Sequence, residues 1–238
     1  MPYEMFEGIV LRRNNYRDND RIITLLTPDK GRVDANARGS RKLKSPLLAA
    51  TEPATYGEFV LYKGKGNAVV HSFTLKDNFF NLRKDINLLS HASIVLSSCL
   101  YAASPEQEAT KLFILSLRTL SRLCYSSLSQ DLVTSAFLLH FSSIEGFKPR
   151  LMHCSICQKT LLPDERTWLD HTSGGLVCIN CLDKRKLPFI SPVQAAWLRQ
   201  VLKDGVDKSP PIDLPPLKAL KNFVEHYLDK TLPDIMDA

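Results

Sequence analysis

Apolar and polar residues follow two different rhythms along this chain, and the change of rhythm divides it. Up to about residue 80 the apolar runs are short, and they are β-branched or alternate with polar residues. Gly8-Ile9-Val10-Leu11 is one such run, and residues 21–27, rich in Ile, Leu and Thr, are a second. Pro28-Asp29-Lys30-Gly31 then reads as a turn, with Pro presetting φ and Gly free to take a positive φ. Residues 32–38 alternate small apolar with polar side chains, which buries one face of a strand and wets the other. Residues 55–62 and 68–74 form a second pair around Lys63-Gly64-Lys65-Gly66. Between the third and fourth strands, Ser45-Pro46-Leu47-Leu48 predicts a helix start, with Ser as cap and Pro at the first position. Five short strands with a helix between the third and fourth are the order of an OB-fold barrel.

After residue 80 the period becomes helical. Ile86 to Pro105 contains no Asp, Glu, Lys or Arg, yet it holds Asn87, His91 and five serines, so it predicts a buried core helix rather than a membrane span. Ser104-Pro105-Glu106-Gln107 has the form of a capping box, followed by an apolar stripe of Ala109, Leu112, Phe113, Leu117, Leu120 and Cys124. Leu132, Val133, Ala136, Phe137, His140, Phe141 and Ile144 make another stripe, stopped by Gly146. Ser191-Pro192-Val193-Gln194 is a second capping box, and a Pro-rich linker leads to a last helix bearing Leu217, Leu220, Phe223 and Val224. Both are expected to pack on the central helices. The expected class is α+β: a five-stranded OB barrel over residues 1–80, then a helical domain over 81–238 with a zinc finger inserted at about 150–185.

Composition adds a charge argument. The chain has 238 residues, 44% hydrophobic and 24% charged, which excludes wholesale disorder. Its net charge is +6, and residues 1–80 carry 13 Lys and Arg against 9 Asp and Glu. Within that block Lys30, Arg32, Arg38, Arg41, Lys42 and Lys44 are opposed only by Asp34. This run spans the third strand and the loop after it, beside the barrel face that takes oligonucleotides in OB folds. The first inter-strand loop adds Arg12, Arg13, Tyr16 and Arg17, and the last adds Lys63 and Lys65. Cations along a backbone path with a ring for bases are what single strands use, so these twelve residues are the expected nucleic-acid contacts.

Six cysteines fall into two classes. Cys99 and Cys124 sit in apolar helical runs and read as core residues. Cys154-Ser155-Ile156-Cys157 and Cys178-Ile179-Asn180-Cys181 have metal spacing, 20 residues apart, with Gly174-Gly175 suited to a tight hairpin before the second pair. Four thiolates complete a tetrahedral Zn²⁺ shell and leave no position open for catalysis. His153 and His171 are nearby bystanders. Phosphate-binding loops, His-Glu-x-x-His and Gly-x-Ser-x-Gly are absent, so the expectation is a binding protein, not an enzyme. Met1-Pro2-Tyr3-Glu4 lacks the basic start and apolar run of a secretory signal, which predicts an intracellular protein with no membrane contact.

Specific stretches also carry a resemblance. Gly8-Ile9-Val10-Leu11-Arg12-Arg13, Asp20 through Gly31, and Ala37-Arg38-Gly39-Ser40-Arg41 with Ser45-Pro46-Leu47 resemble the N-terminal domain of the bacterial RecO recombination-mediator family. Gly146-Phe147-Lys148-Pro149 before the first Cys pair, and Gly174-Gly175 before the second, follow the same family's order. The resemblance implies an OB domain, a helical domain and an embedded structural zinc finger. It further implies binding of single- and double-stranded DNA, strand annealing, and loading of recombinase onto strands coated by single-stranded-DNA-binding protein. The implied partners are RecR and, in many bacteria, RecF, and the implied place is the bacterial cytoplasm at the nucleoid. Two other classes stay open from the residues alone: a zinc-ribbon factor of transcription or translation, and a metal-dependent nuclease.

Overall fold

The computed structural model describes residues 3–63, 67–183, 185–205, 208 and 211–235. Five N-terminal strands close into a barrel of order β1-β2-β3-β5-β4: β1 Tyr3–Tyr16, β2 Asp20–Thr27, β3 Gly31–Ala37, β4 Tyr56–Tyr62 and β5 Ala68–Asp77. The predicted strands are therefore present, but β1 is far longer than its apolar centre. Its first half pairs antiparallel with β4 (Tyr3↔Tyr62 to Ile9↔Tyr56), and its second half pairs with β2 (Ile9↔Leu26 to Tyr16↔Asp20). The β1–β2 register shifts between Val10 and Arg12, leaving Leu11 as an extra residue, and such a bulge bends a strand and raises its twist. The barrel closes where β3 meets β5 in parallel over two pairs, Ala35↔Ala68 and Asn36↔Val69.

Its interior follows the alternation. Val10, Ile23, Leu25, Ala35, Ala37, Phe59, Leu61 and Val70 are all buried in one cluster. Ala35 and Ala37 leave room for Phe59, whose ring lies 4.7 Å from that of Phe73. Burying one such aromatic contributes about 2–3 kcal/mol relative to leaving it wet.

The segment between β3 and β4 differs from expectation. No α-helix starts at Ser45; the chain runs through turns and makes one short 3-10 turn, Ala49–Thr51. Over residues 45–51 only Ala50 and Thr51 are buried, so no apolar stripe exists there to hold a longer helix.

The capping box at Ser104 is also not used. Helix α1 is Ile86–Ala102, capped by the Asp85 side chain, but α2 begins only at Thr110 (Thr110–Tyr125). Residues between them dock on the β2–β3 turn instead. Arg32 N–H donates to the Ser104 carbonyl at 3.2 Å, Glu106 N–H to Lys30 O at 3.0 Å, and Ala109 N–H to Pro28 O at 2.7 Å. Tertiary hydrogen bonds thus claim the groups that a helix start would have used. No helix of the described residues is long and apolar enough to cross a membrane.

Contacts divide the chain into Met1–Ser126 with Pro233–Ala238, and Ser127–Leu232. Helices α1 and α2 thereby belong with the barrel, packing on each other and on β1 and β2. The second unit contains α3 Gln130–Ile144, a small sheet of β6 Thr167–Asp170, β7 Gly175–Cys178 and β8 Phe189–Ile190, and then α4 Pro192–Asp204 and α5 Leu217–Leu228. Both α4 and α5 pack on α3, and the capping box at Ser191 and Gln194 forms as expected. Gly146, at φ +86°, ends the α3 region.

Gly31 marks where the β2–β3 turn and the α1–α2 segment meet. At φ +58°, a Cβ there would lie 2.3 Å from Ser104 O and 2.6 Å from Gln107 O. Gly31→Ala is expected to destabilise this unit by about 3 kcal/mol, from left-handed strain plus a backbone clash. Gly39→Ala, at φ +64° but meeting only the Lys42 side chain at 3.9 Å, should cost only about 1 kcal/mol. Urea unfolding of both variants checks the difference.

Candidate nucleic-acid interface and metal centre

Hydrogen bonds fix the loop after β3. Gly39 N–H donates to Asp20 Oδ1 at 2.8 Å, and Arg41 N–H donates to the Asn19 carbonyl at 3.0 Å. The Arg41 guanidinium reaches the carbonyls of Asp18 (3.0 Å) and Arg17 (3.3 Å). Asp20 therefore serves as an acceptor that ties this loop to the β1–β2 turn. As a result Arg17, Arg38, Arg41, Lys42 and Lys44 come together as an exposed basic belt. Among the described residues, none of these five has a recorded ion pair. The Arg17 guanidinium lies 5.1 Å from the ring centre of Tyr16, which is 38% exposed. Leu43, 96% exposed, stands among these cations.

The other expected contacts separate from this belt. Arg13 pairs with Glu52, which also receives Arg21 at 3.2 Å. Lys30 and Lys63 both face Glu106, at 3.0 and 3.6 Å. The hydrogen bond from Lys30 and the charges of both lysines hold the Glu106 carboxyl below its usual range. Arg32 is half-buried, with its backbone committed to Ser104. Arg12 is exposed on β1, and Lys65 lies outside the described residues.

A groove of about 840 Å³ opens beside the belt, and its walls include Tyr3, Tyr62 and His71, which the sequence reading did not single out. The missing signal was register: Tyr3 and Tyr62 are 59 positions apart and face each other only because β1 pairs with β4.

In the second unit, the four spaced cysteines converge as expected. The sulfurs of Cys154, Cys157, Cys178 and Cys181 all lie within 4.8 Å of one another, a group able to hold a metal ion; neither His153 nor His171 belongs to it. Cys157 and Cys178 Sγ are 3.8 Å apart. The Cys154 turn is closed by Gln158 N–H on Cys154 O at 3.0 Å. On the other side, Gly174 at φ +76° turns the β6–β7 hairpin, with its N–H on Asp170 O at 3.0 Å. Gly175 has no room for a Cβ, which would lie 2.4 Å from Arg150 O and 2.6 Å from Ser155 Oγ. The two glycines thus bring the first knuckle against the strand that carries the second.

Burial works against charge on Cys154, yet the backbone N–H groups of Cys178, Cys157 and Ile156 directed at it bring that thiol down to about 6. The Cys157 thiol and burial together push Cys181 up to about 12. Four thiols so close share protons, and only a cation lets all of them ionise together. Cys99 and Cys124 are both buried, with Cys99 Sγ 2.9 Å from Ser116 Oγ.

Asp170 holds the hairpin in place. Only 1% exposed, it accepts from Thr172 N–H at 3.0 Å and from Arg185 at 2.6 Å. Burial raises its pKa, but the hydrogen bonds from Thr172 N–H and Arg185, with the Ser173 hydroxyl nearby, outweigh that and hold it below the ordinary 3.8. A depressed carboxylate contributes its stabilisation above its unfolded pKa. The contribution is therefore full at neutral pH, fades below about pH 4, and is gone once the pH drops beneath the folded value. Asp170→Asn should destabilise this unit by about 2 kcal/mol at pH 7 and flatten the acid limb of its stability curve. Thermal unfolding from pH 3 to 7 measures both.

Residues 1–79 match the family model described as Recombination protein O N terminal, and residues 83–235 match Recombination protein O C terminal. The chain is 34% identical over 176 residues to the DNA repair protein RecO of Alkaliphilus metalliredigens, spanning 74% of this chain and 70% of that relative. It is 30% identical over 233 residues to the RecO of Moorella thermoacetica, spanning 95% of this chain and 86% of the relative. Over 236 residues it is 28% identical to the RecO of Desulfitobacterium hafniense, spanning 95% and 85%. A basic five-stranded barrel followed by helices and a four-cysteine cluster, matched along both parts, makes this chain a member of the RecO family of DNA repair proteins.

Proposed function

We propose that this protein acts in recombinational DNA repair without catalysing a covalent step: it binds single- and double-stranded DNA, anneals complementary strands, and helps load recombinase onto strands coated by single-stranded-DNA-binding protein. The observation that carries this reading is the belt of Arg17, Arg38, Arg41, Lys42 and Lys44, exposed and without recorded ion pairs among the described residues. Annealing needs contacts that tolerate any sequence and break easily. Long-range attraction to phosphates supplies both. Arg12 adds a cation on β1, whereas Arg13, Lys30 and Lys63 contribute less because Glu52 and Glu106 already neutralise them. RecR, RecF and single-stranded-DNA-binding protein are the expected protein partners, at the bacterial nucleoid in the cytoplasm.

One Zn²⁺ per chain is held by Cys154, Cys157, Cys178 and Cys181 in this reading. A tetrahedral ion about 2.3 Å from each sulfur places the sulfurs about 3.8 Å apart, and the Cys157–Cys178 separation is 3.8 Å. An all-sulfur shell supplies cross-linking, not chemistry. Its role is to hold the two knuckles together.

Two experiments test these statements. If the belt neutralises several phosphates, the logarithm of single-strand affinity should fall linearly with the logarithm of salt, by about 0.7 per contact. Arg38→Ala with Arg41→Ala should flatten that slope, weaken binding alike for all sequences, and slow annealing of complementary strands precoated with single-stranded-DNA-binding protein. An unchanged slope would place the phosphates elsewhere. Elemental analysis of protein purified without chelator should give one equivalent of zinc, and Cys157→Ser should lose most of it and lower the melting temperature of the second unit. Less than a tenth of an equivalent, with all thiols reduced, would overturn the metal assignment.

A further inference from the structure

The groove beside the belt has walls that phosphates do not need. Tyr3 and Tyr62 are 51% and 41% exposed, and their ring centres are 5.4 Å apart in an edge-to-face arrangement. His71 lies 5.0 Å from Tyr3 on the other side. His71 owes this position to a register shift: Val60 pairs with Ser72 and Leu61 with Val70, so His71 is the extra residue of a bulge in β5. Bulges re-aim side chains in this way. Three aromatic rings therefore stand together on the outside of the barrel, where water would otherwise wet their faces. Tyr16 closes the groove toward the basic belt, and Arg38 lines it from the end of β3.

Between them lies a polar group without a partner. Asn36 is on β3, flanked by the core residues Ala35 and Ala37, so strand alternation turns its side chain outward into the groove. Its Oδ1 is buried and makes no hydrogen bond among the described residues. A buried acceptor left without a donor is unfavourable, so this oxygen is available to a donor on a ligand. Such a ligand must offer a flat ring for the tyrosines, a polar edge for the amide and an anion for Arg38. The volume of about 840 Å³ falls in the range of sites that enclose a small ring system.

We infer that this groove receives an unpaired nucleobase of single-stranded DNA, stacked on Tyr62 and Tyr3, with its polar edge on Asn36 and its phosphate on Arg38. The inference rests on the DNA-binding reading above and adds to it a base-dependent site that adjoins the phosphate belt and shares Arg38 with it. In a duplex both faces of each base are stacked and the pairing edges are used, so only an unpaired base can offer a face and an edge together. The belt then holds any DNA, while the groove distinguishes a single strand from a double one. A strand that finds its complement withdraws its bases from the groove, which gives annealing a direction.

The test uses the full-length, metal-loaded chain and fluorescence anisotropy with two labelled strands of about 20 nucleotides, one of thymidine and one wholly abasic, equal in phosphates. The intact strand should bind about tenfold more tightly than the abasic one. Tyr62→Ala should remove most of that difference by weakening the intact strand alone, and Tyr62→Phe, which keeps the ring, should restore it. Asn36→Leu should weaken the intact strand several-fold and leave the abasic strand unchanged. Lys42→Ala with Lys44→Ala, outside the groove, should weaken both strands equally. Equal wild-type affinity for the two strands, or a Tyr62→Ala effect of the same size on both, would overturn the inference and leave the groove to a non-nucleotide partner. If the Lys42 and Lys44 changes affect neither strand while the base-dependent difference persists, the charge reading fails and the groove stands.

Discussion

β1 must satisfy two neighbours, and the groove and basic belt of the barrel depend on how it does so. One strand of 14 residues pairs with β4 through Tyr3–Ile9 and with β2 through Ile9–Tyr16, bending at the bulge around Leu11. The barrel then closes where β3 and β5 meet over only two residue pairs. Closure also decides chemistry. It sets Tyr3 opposite Tyr62 at one end of β1 and delivers the Arg17–Asn19 turn to the loop after β3 at the other. The aromatic groove and the basic belt are thus two consequences of one strand's path.

Electrostatics then sorts the cations. The sequence places Arg13, Lys30 and Lys63 beside the same face as Arg38 and Arg41, and linear distance gives no reason to treat them differently. Folding brings Glu52, 39 positions away, to Arg13, and Glu106, 76 positions away, to Lys30. Exposed pairs of this kind contribute little to stability, typically under about 1 kcal/mol. Their effect on binding is larger in kind: a paired lysine has already exchanged its counterions for a carboxylate and releases fewer on meeting a phosphate. The cations left over are those whose loop is tied by backbone groups and by Asp20, not by salt bridges.

In the second unit the balance is different, because polar groups are crowded together. Four thiols and Asp170 sit around a hairpin whose two glycines permit backbones to approach where a Cβ would lie 2.4 Å from a carbonyl oxygen. Asp170 is satisfied by N–H groups and Arg185, while the thiols compete for protons among themselves. The carboxylate therefore shapes the hairpin, and the sulfurs provide a set of groups able to hold a cation.

Much of this was legible in the chain. Period-two and period-3.6 patterns gave the strands, α1, α3, α4 and α5, because each buries its own apolar side chains locally. Cysteine spacing gave the four-sulfur cluster, because a two-residue gap fixes where two sulfurs point. Sequence went astray where a distant partner outbid a local preference. Ser104 has a capping sequence, but its carbonyl and the following N–H groups bond the β2–β3 turn, so α2 starts at Thr110. Ser45-Pro46 opens no helix because too little of the segment is buried to hold one. The groove was invisible for the same reason in reverse: Tyr3, Tyr62, His71 and Asn36 carry no motif, and each is unremarkable in its own strand. Pairing register and a bulge, which depend on strands far apart in sequence, are what set them around one cavity.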